Sequence, residues 1–195
     1  LPVYTGPRDV VAGTTISGQR ITHPLNVSAG SITIERSCMQ PTVADPGLPL
    51  VATTNYNTLR PAAGVVTIRD SEFDGSRLGG QAAAQATAFL GVANLLNNYV
   101  HGFGSGLALM DTGTRLDVLV EHNYVTGLVA WGDGATTGNH SDAFTIRDFD
   151  GRHRAARRAI VRNNRFDCNS GNDTGALFIP TFAGMIGAHT GMNLR

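Results

Sequence analysis

In the stretch Asn139-His140-Ser141-Asp142-Ala143-Phe144-Thr145-Ile146, a polar turn runs directly into a short strand-like segment. Two other stretches have the same layout, Ser105–Met110 and Asp173–Ile179. Apolar and polar residues alternate in a strand because successive side chains point to opposite faces. We therefore predict that these stretches form three strands stacked one above another, with functional side chains on the face that they share.

The three stretches align on Gly106, Asp142 and Gly175. Two columns of this alignment are predicted to face the core. One contains Ala108, Phe144 and Leu177, and the other contains Met110, Ile146 and Ile179. Two other columns are predicted to face outward. One contains Leu107, Ala143 and Ala176, and the other contains Leu109, Thr145 and Phe178. Earlier equivalents of the same strand are predicted at 25–27 and 50–52.

A second motif recurs outside these stretches, with the order apolar, two variable residues, Ser or Asn, a variable residue and an apolar residue. Its Ser or Asn positions are 34, 27, 25 and 41 residues apart, and they are Ser37, Ser71, Asn98, Asn123 and Asn164. A constant strand motif at irregular spacing is typical of a solenoid whose loops vary in length. The Ser and Asn side chains either form a hydrogen-bonded ladder along the stack or act as independent turn formers.

The composition of the chain limits the kinds of partner that it is expected to bind. The chain has 195 residues, is 42% hydrophobic and has a formal net charge of zero. General electrostatic attraction to nucleic acid or to an anionic membrane is therefore not expected. No apolar run reaches the roughly 18 residues that a membrane-spanning helix needs. Oligomeric state cannot be inferred from these features.

The cysteines and the chain ends give little information about the fold or the function. Cys38 and Cys168 are expected to be buried free thiols, because stacking would place them several coils apart. Residues 1–195 are interpreted as one domain, with residues 1–18 as an N-terminal cap. The N-terminus lacks the features of a signal peptide, and the chain is interpreted as a mature or trimmed one. Its C-terminal end has no evident cap and is interpreted as a possible truncation inside a repeat.

The repeated Ile/Val-x-x-Ser/Asn-x-apolar units resemble the right-handed parallel β-helix of pectate lyases, polygalacturonases and other secreted carbohydrate-active proteins. The resemblance covers roughly residues 10–190 and implies an all-β solenoid of about six coils. It also implies a secreted protein that acts on a polysaccharide. No cofactor is expected; calcium, which pectate lyases typically use, lacks a clear acidic cluster here.

Asp142 is the first candidate catalytic residue. Asn139–Phe144 resembles the Asn-Thr-Asp-Gly-Ile-Asp motif of polygalacturonase-type glycosidases, in which the first Asp is catalytic. Asp173 takes the place of His140 one coil away, so Asp142 and Asp173 are expected roughly 5–9 Å apart, a range that spans retaining and inverting glycosidases. His140 is a candidate for tuning either carboxyl or acting as the base. The alternative is that Asp142 caps a turn.

Four further residues are candidates for substrate binding. Trp131 and Phe178 could stack on sugar rings, or they could be covered by loops. Arg147 follows the central strand and could neutralise a uronate in a lyase, or it could form a salt bridge with Asp111 one coil earlier. No metal ligands are predicted. The sequence therefore favours a glycoside hydrolase or polysaccharide lyase, with a non-catalytic glycan-binding or structural solenoid as the alternative.

Overall fold

Each turn of the chain contributes three short strands, and strands from successive turns pair in parallel. The computed structural model describes residues 1–45, 49–53, 62–110, 117–132, 138–147, 159–169 and 173–179. In this part of the chain the strands form three sheets of six strands each. The protein is a right-handed parallel β-helix of about six coils, as the repeated motif predicts.

Sheet 1 contains the strand that precedes each Ser or Asn of the motif. Its β-branched and leucine side chains alternate between the interior and the surface, a pattern that favours strands. The strands of sheet 1 are β1 (Thr15–Ser17), β4 (Ile32–Glu35), β7 (Val66–Arg69), β10 (Asn94–Leu96), β13 (Val118–Glu121) and β16 (Ala159–Arg162).

Sheet 2 contains the strand that follows each Ser or Asn. Its members are two or three residues long, because a second corner follows at once. The strands of sheet 2 are β2 (Arg20–Ile21), β5 (Cys38–Met39), β8 (Glu72–Asp74), β11 (Tyr99–His101), β14 (Tyr124–Thr126) and β17 (Arg165–Phe166).

Sheet 3 contains the strands predicted from the stretches around Asp142, and it includes the two longest strands in the described residues, at Ser105–Met110 and Asp142–Arg147. A short helix, α1 (Gly80–Gln85), precedes another strand of this sheet in an alanine-rich loop. The strands of sheet 3 are β3 (Leu25–Asn26), β6 (Val51–Ala52), β9 (Thr87–Gly91), β12 (Ser105–Met110), β15 (Asp142–Arg147) and β18 (Gly175–Phe178).

A hydrogen-bonded ladder runs along the corner between sheets 1 and 2, which confirms one of the two predicted alternatives. Asn98 Nδ2 donates to Asn123 Oδ1 at 2.9 Å, and Asn123 Nδ2 donates to Asn164 Oδ1 at 2.9 Å. Ser71 continues the ladder, because its backbone N–H donates to Asn98 Oδ1 at 3.2 Å. Ser37 extends it by one more coil through its N–H to Ser71 Oγ at 3.2 Å. The ladder therefore satisfies buried polar groups of successive corners.

The residue before each ladder position has a left-handed backbone conformation, with φ between 48° and 58°. One such residue reverses the chain direction sharply, and asparagine, aspartate and histidine tolerate it better than most side chains. These corner residues are Arg36, Asp70, Asn97, His122 and Asn163.

The core consists of one inward-facing column from each sheet. Each of the central members is at most 1% exposed, so burial stabilises each by about 1.5–3 kcal/mol. They are Ile34, Ile68, Leu95 and Val120 in sheet 1, Met39, Phe73, Val100 and Val125 in sheet 2, and Val51, Phe89, Leu107 and Phe144 in sheet 3.

The predicted alignment of β12 with β15 is wrong by one residue. Leu107 lies opposite Phe144 and Leu109 opposite Ile146, so both leucines are in the core. Ala108 and Met110, which were expected there, instead pack with Leu90 in a separate cluster. A slip of one residue exchanges the two faces of a strand.

Packing around Gly106 explains the observed register. A Cβ atom at Gly106 would lie 2.4 Å from the Ala143 carbonyl oxygen and 2.6 Å from Val125 Cγ1. Glycine is therefore required beside Ala143, whereas the sequence alignment placed it beside Asp142. Ala143 is fully buried in the core cluster and does not face solvent as predicted.

The alignment of β15 with β18 is confirmed. Asp142 lies opposite Gly175, Phe144 opposite Leu177 and Thr145 opposite Phe178. Leu177 is nevertheless 55% exposed, although its column faces the core in the preceding coils.

Three smaller expectations can also be compared with the structure. Both cysteines are free, as predicted, but Cys38 is half-buried and Cys168 is exposed. The predicted cap pairs with the first strands of two sheets, through bridges from Val3 to Arg20 and from Asp9 to Asn26. In the described residues, no helix is long and apolar enough to span a membrane.

Candidate functional site

Asp142 is the first residue of β15 and lies at the point where the chain enters sheet 3. Gly175 in β18 is the backbone partner of Asp142. A Cβ atom at this glycine would lie 3.3 Å from Asp142 Oδ1, so glycine leaves room for the carboxylate. Thr174 Oγ1 donates a hydrogen bond of 2.7 Å to that same oxygen. Asp142 is 7% exposed. Its carboxylate is therefore held in a defined orientation with only a small part accessible to solvent.

Cys168 follows the end of β17 by two positions and lies near Asp173 and Asp142. Partial desolvation raises the pKa of the Cys168 thiol above its ordinary value. The charge of Asp173, to which the thiol is hydrogen-bonded, and the charge of Asp142 raise that pKa further. Since Thr174 directly follows Asp173 and hydrogen-bonds Asp142, the fold brings the two aspartates into one neighbourhood.

Asn139 joins the loop before β15 to the rest of the coil. Its Nδ2 donates to the carbonyl oxygen of Ala84 in α1 and to Ser141 Oγ, each at 2.8 Å. Its Oδ1 accepts a 2.7 Å hydrogen bond from the backbone N–H of Trp131. Ser141 is fully buried. Asn139 therefore positions Trp131 on one side and the residues leading to Asp142 on the other.

Trp131 lies against the first residue of α1. A Cβ atom on Gly80 would be 3.0 Å from Trp131 Cζ3, so glycine permits the indole to lie close to the helix backbone. The tryptophan remains 49% exposed. Its polar indole N–H suits a partly hydrated binding surface.

His140 is exposed and lies between Asn139 and Ser141. Its carbonyl oxygen accepts a long hydrogen bond from Ser105 Oγ at 3.5 Å, which links this turn to the preceding coil of sheet 3. We name the resulting group the polar corner. It consists of Trp131, Asn139, His140, Asp142, Asp173 and Thr174.

Two further predicted binding residues, Phe178 and Arg147, end β18 and β15. Phe178 is half-buried, and its backbone pairs with Thr145 on the outward column of sheet 3. Arg147 ends β15 and its backbone pairs with Met110. Asp111 lies outside the described residues, so its salt bridge with Arg147 stays a prediction.

Thr174 in the polar corner, and Cys168 beside it, were not found from sequence. Thr174 immediately precedes the position aligned with Asp142, and its hydroxyl could have been inferred from that alignment. Cys168 follows a strand of sheet 2, and its approach to residues at the start of sheet 3 has no local signal in the sequence. The identified and missed residues together form a site built from separate turns of the solenoid.

Comparisons with family models, with curated proteins and with solved structures gave no match to this chain.

Proposed function

We propose that this protein is a secreted glycoside hydrolase whose catalytic centre is the polar corner. One observation carries the proposal: Asp173 directly precedes Thr174, whose hydroxyl hydrogen-bonds Asp142, and Asn139 links the same turn to a half-exposed tryptophan. Glycosidic bond hydrolysis typically uses two carboxyl groups that flank the scissile bond. Secretion is part of the same proposal, because a polysaccharide substrate of this kind lies outside the cell.

The two carboxyl groups have distinct surroundings, which suits distinct roles. One carboxyl protonates the departing glycosidic oxygen, and the other activates water or attacks the anomeric carbon. Thr174 Oγ1 holds one oxygen of Asp142, and Cys168 is hydrogen-bonded to Asp173. These contacts fix the carboxyl groups before substrate binds, which limits the reorganisation needed during the reaction.

Trp131 supplies the binding surface in this proposal. A sugar ring has apolar C–H faces that pack on an indole, and its hydroxyls can bond to the neighbouring polar groups. Asn139 holds the backbone of Trp131, and the indole ring lies against Gly80 of α1. His140 is exposed and lies two residues before Asp142 in the same turn.

The test is a screen of polysaccharides for new reducing ends, followed by Asp142→Asn and Asp173→Asn on any substrate that is cleaved. Each variant is expected to lower kcat by about 10²–10⁴-fold, because it removes a proton-transfer group. The matched control is Asp70→Asn, at an exposed corner where Asn tolerates the left-handed backbone. Melting temperatures should be similar for all variants. Undiminished cleavage by both site variants would contradict the assignment.

A second candidate function is non-catalytic glycan binding. Asp142 is 7% exposed and one of its oxygens already accepts the Thr174 hydroxyl, an arrangement that also suits a structural carboxylate. In this case Trp131→Ala weakens binding to a polysaccharide, while no reducing ends and no unsaturated uronates form. Unsaturated uronates would instead identify a lyase, and new reducing ends without them a hydrolase.

A further inference from the structure

The outer face of sheet 2 brings together three side chains of metal-ligand type, away from the polar corner. Glu72 and Asp74 are both on β8, and His101 is on β11 in the next coil. His101 Nε2 lies 3.0 Å from Glu72 Oε1 and 3.8 Å from Asp74 Oδ1. All three ligand atoms lie within 4.8 Å of one another. Backbone pairing of Asp74 with His101 produces this proximity.

These distances suit a common metal ion. Zinc binds histidine nitrogen and carboxylate oxygen at about 2.0–2.2 Å, so neighbouring ligands of a tetrahedral ion are about 3.3–3.6 Å apart. The separations of 3.0 and 3.8 Å from His101 Nε2 lie on either side of that value. Small side-chain adjustments are therefore enough to place the three atoms around one ion.

Neighbouring groups already orient two of the ligands. The backbone N–H of Ser76 donates to Asp74 Oδ1 at 2.8 Å, and Gln40 Nε2 donates to Asp74 Oδ2. The Tyr99 ring stacks on the His101 imidazole with centroids 4.5 Å apart. Hydrogen bonds to a ligating carboxylate and a fixed imidazole plane are the features that support metal sites from outside the ligand shell.

The charge and exposure of the cluster also favour a cation. Two carboxylates and one neutral imidazole together carry a net negative charge, which a divalent cation balances. The Glu72 and His101 side chains are 43% and 22% exposed, so an ion can enter from solvent and retain water as a further ligand.

Cys38 is adjacent to this cluster but is not one of the proposed ligands. Burial, followed by the charge of Glu72 and a hydrogen bond with it, raises the pKa of the Cys38 thiol to about 12. The three ligand atoms that lie within reach of one ion are one nitrogen and two oxygens.

We propose that Glu72, Asp74 and His101 bind a divalent transition-metal ion. An imidazole with two carboxylates selects such ions over calcium and magnesium, which prefer all-oxygen sites. The ion joins two successive coils, because its ligands come from β8 and β11. The site is on a different sheet from the polar corner, so this proposal does not depend on the proposed hydrolase activity.

The test uses the full chain, freed of metal by a chelator and titrated with Zn²⁺ alone in a calorimeter. One ion is expected to bind per chain and to raise the melting temperature, since binding to the folded state stabilises it. His101→Gln and Glu72→Gln are each expected to weaken binding at least about tenfold. The matched control is His122→Asn, at an exposed corner of the following coil, and it should bind Zn²⁺ as the wild type does.

Two further readouts keep the outcome clear. Circular dichroism checks that each variant is folded, and NMR of the wild-type His101 imidazole should show its Nε2 resonance shift on adding one equivalent of Zn²⁺. Absence of stoichiometric binding, or equal binding by His101→Gln, would mean that these residues form an ion pair only. Cleavage assays with the metal-free protein report on the polar corner separately, so either proposal can fail without the other.

Discussion

Asn98 shows at the scale of one residue how the corners of the solenoid are held together. It is 2% exposed and lies in the middle of the ladder. Its Nδ2 donates to Asn123 Oδ1 and to the Ile68 carbonyl oxygen, both at 2.9 Å, while its Oδ1 accepts from the Ser71 N–H. An amide side chain has both donors and an acceptor, so it can bond to the coils on both sides.

Asn98→Ala is therefore expected to destabilise the protein by about 2–4 kcal/mol, because it leaves buried backbone and side-chain groups without partners. Asn98→Ser should be milder, since serine occupies the same ladder position at Ser37 and Ser71. Urea unfolding of the two variants and the wild type measures the difference. Equal midpoints for Asn98→Ala and the wild type would show that the ladder contributes nothing to stability.

At the scale of one element, the start of β12 determines which side chains of sheet 3 face the core. Gly106 packs against the Ala143 carbonyl group and Val125. The following residues, Leu107 and Leu109, then enter the core. The alternative register would expose two leucines and bury Ala108 in their place, at a cost of several kcal/mol of hydrophobic burial.

Gly106→Ala is expected to destabilise the protein by about 1–3 kcal/mol, because overpacking forces the two strands or the Val125 side chain to move. The control is Gly79→Ala, whose added Cβ meets nothing within 4 Å and whose φ is −54°. The measurement is the melting temperature of each variant. A loss in Gly79→Ala as large as that in Gly106→Ala would argue against the packing explanation.

At the scale of the whole molecule, ion pairs and hydrogen bonds on the outside of sheet 1 join coils that are distant in sequence. Glu35 accepts hydrogen bonds from Arg69 Nε at 3.0 Å and Arg69 Nη2 at 2.6 Å in the next coil. It also accepts one from Ser17 Oγ at 3.1 Å in the preceding coil, and it pairs with Arg36. Hydrogen bonds from Arg69 and then from Ser17 outweigh the opposing effect of burial, and they hold the pKa of Glu35 below its ordinary value.

A lowered pKa in the folded state means that Glu35 contributes stability above its ordinary pKa and loses it as the pH falls through the lowered value. Glu35→Gln is therefore expected to lower the urea midpoint near pH 7. The difference from the wild type should shrink at acidic pH, once the pH has fallen below the lowered pKa of Glu35 and its carboxyl is protonated. Asp70→Asn is the control for loss of a surface carboxylate. A difference that is the same at both pH values would contradict this account.

Much of the fold could be predicted from sequence because its signals are local. The Ser and Asn positions each follow an alternating strand, so the repeated corner, the ladder and the parallel stack could all be inferred. Asp142 and Gly175 were also aligned correctly. The register of β12 could not be inferred, since the preference for Gly106 beside Ala143 depends on contact with Val125 from another sheet.

The two candidate sites also differ in how far the sequence alone could predict them. Asp142, Asp173 and His140 were found because they are neighbours of a motif that recurs along the chain. The cluster on sheet 2 was not found, because His101 and Glu72 are 29 residues apart and have no metal-binding spacing. Only the pairing of β8 with β11 brings them together.

The sequence by itself therefore determined a parallel β-helix, its corners and the candidate carboxylates, since each depends on residue type and short-range spacing. Tertiary structure alone decided the register of β12, the hydrogen bond between Thr174 and Asp142, and the cluster of Glu72, Asp74 and His101. The physical reason is that loops of unequal length separate the coils, so which side chains become neighbours depends on how complete coils pack.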